Sequence, residues 1–199
     1  MNEAIWKGSG SGLRHAIIGA GMSGILAAIK LIERGETNFT IFEKGTDLGG
    51  TWRDNRYPGL TCDTPSHAYS YSFALNPEWS SYYAKGSEIH EYFRKVAGER
   101  GVLPHIRFAS EVSACVFDDD RGTWTIGLKD GGGCEADIVY AASGVLHHPN
   151  IPELPGLADF AGKAFHSAQW DDSAVLDGTR VGVIGFGSTG IQIVNALSS

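Results

Sequence analysis

Cysteine is scarce in this 199-residue chain: only Cys62, Cys115 and Cys134 occur. They are too few and too far apart for a disulfide framework, a CxxC redox pair or a zinc site. A reducing compartment suits them, and the cytoplasm is the expected location. The seven histidines supply no ligand spacing, since His147 and His148 are adjacent and the others are scattered, so no metal is expected. Basic charge is also short. With 16 basic against 23 acidic side chains the net charge is −7, and no Lys/Arg cluster forms a stripe that could track a phosphate backbone. Nucleic acid is therefore excluded as an expected partner. No stretch reaches the roughly 18 apolar residues of a membrane span. Residues 1–12 lack the apolar core of a signal peptide, and the glycine-serine run Gly8 to Gly12 marks 1–13 as a flexible lead-in.

Core-forming material is ample, at 42% hydrophobic and 11% aromatic. A chain of this size buries roughly 70% of its unfolded surface. Arg14 to Ile18 is a short apolar run that meets glycine at once, as a buried parallel strand does on entering a tight turn. Ile25, Leu26, Ile29, Leu31 and Ile32 then recur at helical spacing until Gly35, which supplies a left-handed stop. Phe39 to Glu43 is β-branched and aromatic, and the intervening helix makes it a parallel partner of the first strand. Ser87 to Arg100 predicts a helix capped by Ser87, with Ile89, Tyr92, Phe93 and Val96 as its apolar stripe and Gly101 as its end.

Two strand-like runs, Glu111 to Phe117 and Thr123 to Leu128, flank the turn-forming Asp118 to Gly122 and predict an antiparallel meander. Glu135 to Ala141 is expected to return as a single strand to the parallel sheet. Pro149, Pro152 and Pro155 punctuate a linker, after which Arg180 to Ile184 repeats the opening pattern of apolar strand followed by glycine. The fold class is thus α/β, with a Rossmann-like nucleotide-binding domain over 14–148 that combines a parallel sheet with an inserted antiparallel β-meander. A linker over 149–178 leads to the truncated start of a second Rossmann-like domain over 179–199. Within the long loop from Lys44 to Trp79, Tyr69, Tyr71 and Phe73 alternate with serines, so one face of a strand is expected to bury the three rings.

Gly19-Ala20-Gly21-Met22-Ser23-Gly24 is a GxGxxG between a predicted strand and a predicted helix, the setting in which this short pattern has meaning. Gly19 permits the tight turn, Gly21 lets the backbone approach a pyrophosphate, and Gly24 lets helix pack closely on strand. The helix N-terminus offers N–H groups and partial positive charge. Glu43 lies 19 residues after Gly24. A carboxylate there accepts hydrogen bonds from ribose hydroxyls and repels a 2′-phosphate, so the site takes FAD or NAD in preference to NADP. A second such motif, Gly185-Phe186-Gly187-Ser188-Thr189-Gly190, follows the Arg180 to Ile184 run.

Gly49-Gly50-Thr51-Trp52-Arg53-Asp54-Asn55-Arg56-Tyr57-Pro58-Gly59-Leu60-Thr61-Cys62-Asp63 matches, at every fixed position, the A/G-G-x-W-x4-F/Y-P-G/M-x3-D pattern of Baeyer-Villiger monooxygenases. These are flavoenzymes that turn ketones into esters or lactones with NADPH and dioxygen. Phe160-Ala161-Gly162-Lys163-Ala164-Phe165-His166-Ser167-Ala168-Gln169-Trp170-Asp171 likewise satisfies the family's F-x-G-x3-H-x3-W/F-P/D pattern. The Trp170-Asp171 ending sets the chain apart from the related flavin monooxygenases that oxidise nitrogen or sulfur. Taken without the family, His166 between aromatic neighbours is a packed structural residue, and it is read as coupling domains rather than as an acid or base.

The resemblance implies FAD at the first glycine motif and NADPH at the second. It implies that Gly19, Gly21, Ser23, Gly24 and Glu43 hold the ADP moiety and that the Val112 backbone pairs with adenine. It assigns Gly50, Thr51, Trp52, Arg53, Asp54, Asp63 and Tyr69 to the flavin side. Thr61, Cys62, Gly185, Gly187, Ser188, Thr189, Gly190 and Ile191 are assigned to NADP. Asp63 is the one catalytic candidate, matching an active-site aspartate that pairs with an arginine not found in this chain. Family chemistry would run through a C4a-peroxyflavin attacking a ketone, with the remaining NADPH-domain elements, a substrate cap and that arginine lying in further sequence. Two alternatives are an N- or S-oxygenating monooxygenase and an inactive FAD-binding fragment. A flavin disulfide reductase would need a cysteine pair near the flavin, and Cys62 stands alone.

Overall fold

A computed structural model of the protein describes residue 6 and residues 10–198. It divides into two compact units, Met1–Thr51 with Glu91–His147 and Trp52–His90 with His148–Ser199.

In the first unit, β1 (His15–Ile18) leads through the glycine loop into α1 (Met22–Glu33), which returns to β2 (Phe39–Phe42). A four-stranded parallel sheet has the order β3-β2-β1-β7, where β3 is Ile106–Arg107 and β7 is Ile138–Ala141. His15 pairs with Phe39 and with Ile138 on the two sides of β1. Every residue of β2 is buried, including Thr40, as a strand covered on both faces requires. Ile17, Ile25, Ile29, Ile41 and Phe42 form its interior. The left-handed Gly35 (φ 77°) ends α1, its N–H bonding to the Ile32 carbonyl at 2.9 Å while Glu36 N–H bonds to Leu31 at 3.0 Å.

The antiparallel meander is β4 (Val112–Asp118), β5 (Thr123–Leu128) and β6 (Gly133–Ala136). Its inner face, Ile126, Leu128, Cys134 and Ala136, packs on Ala16 and Phe42 of the parallel sheet, with Val112 at the margin. Burial raises the Cys134 thiol to about 11, so it stays protonated and packs as a small hydrophobe.

The expected single strand Glu135 to Ala141 is two strands, β6 in the meander and β7 in the parallel sheet. Asp137 is the break. Its backbone N–H and that of Ile138 both bond to the Arg14 carbonyl, at 2.9 and 3.1 Å. Its carboxylate takes the Arg14 guanidinium in two-point fashion, Nε at 3.0 Å and Nη2 at 2.7 Å, and the Arg14 backbone N–H at 2.7 Å. These bonds turn the chain from one sheet to the other. They also favour the carboxylate form, so the Asp137 pKa lies below its ordinary 3.8, chiefly through the Arg14 hydrogen bond. A group depressed in this way stabilises the fold above its unfolded pKa and loses that contribution as pH falls through the folded value. Asp137→Asn is therefore expected to cost about 2 kcal/mol at pH 7, typical of hydrogen bonds to a charged group. Denaturant melts of the two proteins should converge as pH falls below the folded-state pKa of Asp137; a gap that stays constant from pH 7 through that acid range would refute this account.

α3 (Gly86–Glu99) buries Ile89, Tyr92, Phe93 and Val96 as its sequence stripe predicts, and Gly101 (φ 70°) follows its end. Ser87 lies inside its first turn instead of capping it. Lys85, held by an antiparallel bridge to Thr61, already presents its carbonyl to Glu88 and Ile89 N–H, so the helix starts earlier.

α2 (Thr51–Asp54) begins in the fingerprint loop where the first unit ends, and in the second unit α4 (Ser188–Leu197) follows the second glycine motif. Tyr69 to Phe73 forms no strand. Bends and a turn follow a 3-10 segment at Ser66–Ala68, and Tyr71 stacks on Phe73 with centroids 5.2 Å apart. Arg180 to Ile184 is not a strand either, and Ile184 is 73% exposed. An extended segment needs a hydrogen-bonded neighbour to become a strand, and none pairs with it among the described residues. No helix of the described residues is long and apolar enough to cross a membrane.

Candidate functional site: two glycine loops and the fingerprint loop

The first glycine loop has the geometry that close approach of a phosphate requires. Gly19 is left-handed (φ 102°), its N–H bonds to the Phe42 carbonyl at 2.8 Å, and a Cβ there would lie 2.6 Å from the Ala142 carbonyl oxygen. A Cβ at Gly24 would lie 1.9 Å from the Gly19 oxygen, so only glycine lets α1 begin this close to β1. Gly21 sits at the N-cap with no side chain to cap the helix, and Ile25 N–H to Gly21 oxygen, 3.0 Å, closes the first turn. Ser23 is exposed in that turn.

Gly49 and Gly50 of the fingerprint pack against this loop. Gly49 N–H bonds to the Ala20 carbonyl at 2.9 Å, and Gly50 (φ 52°) is so close to Gly21 that a Cβ would stand 3.2 Å from its Cα. Five glycines thus leave the backbone bare of side chains at the start of α1. Glu43 is 3% exposed, and its two carboxylate oxygens accept the N–H groups of Ala20 (2.9 Å) and Gly45 (2.7 Å). It joins the glycine loop to the end of β2, a structural duty beyond the ribose contact its position predicts. Val112 opens β4, half-buried.

In the second unit the Trp52 indole N–H donates to the Tyr69 hydroxyl at 3.1 Å, with the rings edge to face at 5.5 Å. The Tyr69 phenol is pushed up in pKa by burial first, and by the neighbouring Cys62 and Asp63, against the lowering effect of the Trp52 bond. It therefore stays protonated at neutral pH, its oxygen accepting the Trp52 N–H. Arg53 pairs with the adjacent Asp54 at 2.7 Å. Cys62 is buried, with its N–H on the Ala84 carbonyl at 2.9 Å. Asp63 is exposed and accepts the Ser188 hydroxyl at 3.1 Å.

The second glycine loop repeats the first. Gly185 is left-handed (φ 115°), and a Cβ at Gly190 would lie 2.4 Å from the Gly185 oxygen. Gly187 has φ −71° and ψ −179°, against −80° and −172° for Gly21, and Ile191 N–H closes the first turn on Gly187 at 3.1 Å. Thr189 lies 3.3 Å from the Tyr57 hydroxyl, while Ile191 is exposed.

In the second fingerprint His166 Nδ1 accepts the Ala168 N–H at 3.1 Å and caps a 3-10 turn, a structural use. Lys163 and Ser173 hold Asp171, whose pKa is lowered to about 2, by the Lys163 bond first. Phe165 and Trp170 meet edge to face at 5.2 Å.

The family model for flavin-binding monooxygenase-like proteins matches residues 12–199. The chain belongs to this family. It is 50% identical over 183 residues to an uncharacterised monooxygenase of Mycobacterium tuberculosis, covering 92% of this chain and 37% of the relative. It is 45% identical over 185 residues to a Baeyer-Villiger monooxygenase of Streptomyces coelicolor, covering 93% of this chain and 36% of the relative. Among solved structures, a mutant cyclohexanone monooxygenase from Rhodococcus sp. Phi1 bound to NADP+ superimposes with a TM-score of 0.86 at 39% identity, covering 94% of this chain and 36% of that one. The chain spans little more than a third of the length of these proteins. Its Rossmann-like α/β fold is theirs.

One residue of the site carries no mark in either fingerprint. Gln192, on α4, bonds to both Tyr57 and Thr61. The available signal was a lone amide following the motif, three residues after Thr189 and so on the same helical face.

Proposed function

We propose that the protein is the FAD-binding portion of a Baeyer-Villiger monooxygenase, with FAD at the first glycine loop and NADPH at the second, inserting one oxygen atom of O2 into a ketone to give an ester or lactone. The observation that carries this reading is the repeated loop geometry at Gly19–Gly24 and Gly185–Gly190. Two dinucleotide cradles in one chain fit chemistry that passes a hydride from one dinucleotide to another. The complete fingerprints and the named Baeyer-Villiger relatives support the choice of branch. On this reading 14–148 is the FAD-binding domain, 149–178 a linker and 179–199 the start of the NADP domain.

The cradle fits the cofactor, because five glycines leave room for a pyrophosphate and the N-terminus of α1, which no side chain caps, faces it. Gly19, Gly21, Ser23 and Gly24 hold the phosphates. Glu43 binds the ribose, since a carboxylate accepts up to about four hydrogen bonds, and it repels a 2′-phosphate. Val112 meets adenine. Gly50, Thr51, Trp52, Arg53, Asp54 and Tyr69 face the flavin, whose bound form supplies the reaction with dioxygen. Trp52, fixed by Tyr69, gives an apolar wall that excludes water. Thr61, Cys62, Gly185, Gly187, Ser188, Thr189, Gly190 and Ile191 hold NADP. Asp63 is the catalytic carboxylate and orients a cationic partner.

Two measurements test this. Flavin fluorescence titration of the 199-residue chain should show saturable FAD binding; its absence would end the FAD reading and that of a binding module alike. The full-length gene product should consume NADPH with dioxygen and convert members of a ketone panel to esters. Oxygen transfer only to amines or sulfides would place it with the sister enzymes instead.

A further inference from the structure

α4 touches the fingerprint loop through a directed chain of hydrogen bonds. Gln192 Nε2 stands 3.0 Å from the Thr61 carbonyl and 3.1 Å from its hydroxyl oxygen. A carbonyl only accepts, so this end of the amide is the NH2 group and the other end is the oxygen. The Tyr57 hydroxyl, 3.0 Å from Gln192 Oε1, must then donate to it. With its proton spent there, Tyr57 accepts from Thr189, 3.3 Å away. The order Thr189 to Tyr57 to Gln192 to Thr61 leaves one orientation for the amide.

The loop between those two contacts is shaped for the helix. Gly59 is left-handed (φ 79°), and a Cβ there would come within 2.6 Å of the Gln192 carbonyl oxygen and 3.0 Å of Ala196 Cβ. Tyr57 is 7% exposed. The fixed Tyr57-Pro58-Gly59 of the fingerprint is thus a seat for α4, with Gln192 straddling it. Two residues further along, Asp63 accepts the hydroxyl of Ser188, the first residue of the same helix.

We infer that Gln192 is a positioning residue: it fastens the second glycine loop to the Tyr57–Asp63 loop, so that the phosphate-holding Ser188 and Thr189 and the carboxylate of Asp63 keep one spacing. Simple packing does not account for it, since a packed helix face needs no amide whose donor and acceptor are both used on opposite sides of a glycine. The inference rests on the proposed NADP role of the second loop, but the fastening itself needs no ligand.

Amide hydrogen exchange in the nucleotide-free 199-residue chain tests the fastening. Gln192→Leu should speed exchange at Leu60 and Cys62 by roughly tenfold, the size expected from losing one or two net hydrogen bonds, with β1 and β2 amides unchanged. Gln192→Glu should do the same, because its oxygen faces the Thr61 carbonyl. Tyr57→Phe, which keeps the ring, should give a smaller, roughly threefold effect and remains measurable if Gln192→Leu folds poorly. Unchanged exchange in all three variants overturns the inference. In the full-length protein, Gln192→Leu should weaken NADP+ binding about tenfold and leave FAD binding within about twofold. Parallel loss of both ligands would mark a general loss of structure and also overturns it. An unaltered full-length protein that fails to bind NADP+ overturns the cofactor assignment, and the coupling with it, whereas NADP+ binding without an exchange effect in the 199-residue chain overturns the fastening alone.

Discussion

Glu43→Ala is expected to lower the melting temperature by roughly 10 °C and to weaken FAD binding by at least about 100-fold. The carboxylate is 3% exposed, and its oxygens are acceptors for the Ala20 and Gly45 N–H groups. Removing it strands the buried Ala20 donor at roughly 1–3 kcal/mol and the half-buried Gly45 donor at the lower end of that range. For a chain of this size each kcal/mol shifts the melt by about 2–4 °C. Binding suffers more than stability, because on the proposed function the variant also loses the ribose acceptor, and it frees the loop that carries Gly21. Glu43→Gln should fall between, since an amide keeps one acceptor and loses the other. Scanning calorimetry and flavin quenching on the three proteins measure this. A Glu43→Ala melt within about 2 °C of the parent would show that the buried carboxylate does not hold the loop.

The second large effect is a crossed pair. Gly24→Ala should abolish FAD binding and spare NADP+, and Gly190→Ala should do the reverse. A Cβ at Gly24 stands 1.9 Å from the Gly19 oxygen and 3.4 Å from Ile17 Cγ2; a Cβ at Gly190 stands 2.4 Å from the Gly185 oxygen and 3.7 Å from Val183 Cγ1. In both cases the obstacle is backbone, so the helix start must move, and with it the N–H groups of its first turn. Such overpacking costs roughly 1–3 kcal/mol. Gly24→Ala should be the more destabilising, because Ile17 is fully buried. Gly182→Ala, with nothing within 4 Å of its Cβ, is the matched control and should bind both ligands normally. Separate isothermal titrations with FAD and NADP+ decide the matter: if either glycine variant loses both ligands, the one-loop, one-cofactor assignment fails.

The parts of the fold that were readable in the sequence are those governed by local rules. Gly19 to Gly35 could be divided into turn, helix and stop because the 3.6-residue period and the glycines act within a few residues of one another. The hairpin at Asp118 to Gly122 was legible for the same reason: the Asp118 side chain accepts the N–H groups of Asp120 and Arg121, and Gly122 takes the left-handed position. Glu135 to Ala141 could not be divided correctly, because its break at Asp137 is set by Arg14, 123 residues away. Arg180 to Ile184 has a strand's composition, but composition cannot supply the neighbouring strand. Tyr69, Tyr71 and Phe73 show a strand's alternation, yet Tyr69 is claimed by Trp52 and Tyr71 by Phe73.

The amino-acid sequence by itself determined the two glycine loops, their helices and both fingerprints, since spacing along the chain carries that information. Tertiary structure alone decided that Glu43 anchors the first loop, that Gly49 and Gly50 press on Gly21, and that Gln192 bridges Tyr57 and Thr61. Each of these depends on which atoms meet across a distance in sequence, and hydrogen bonding and close packing act on that proximity, not on order along the chain.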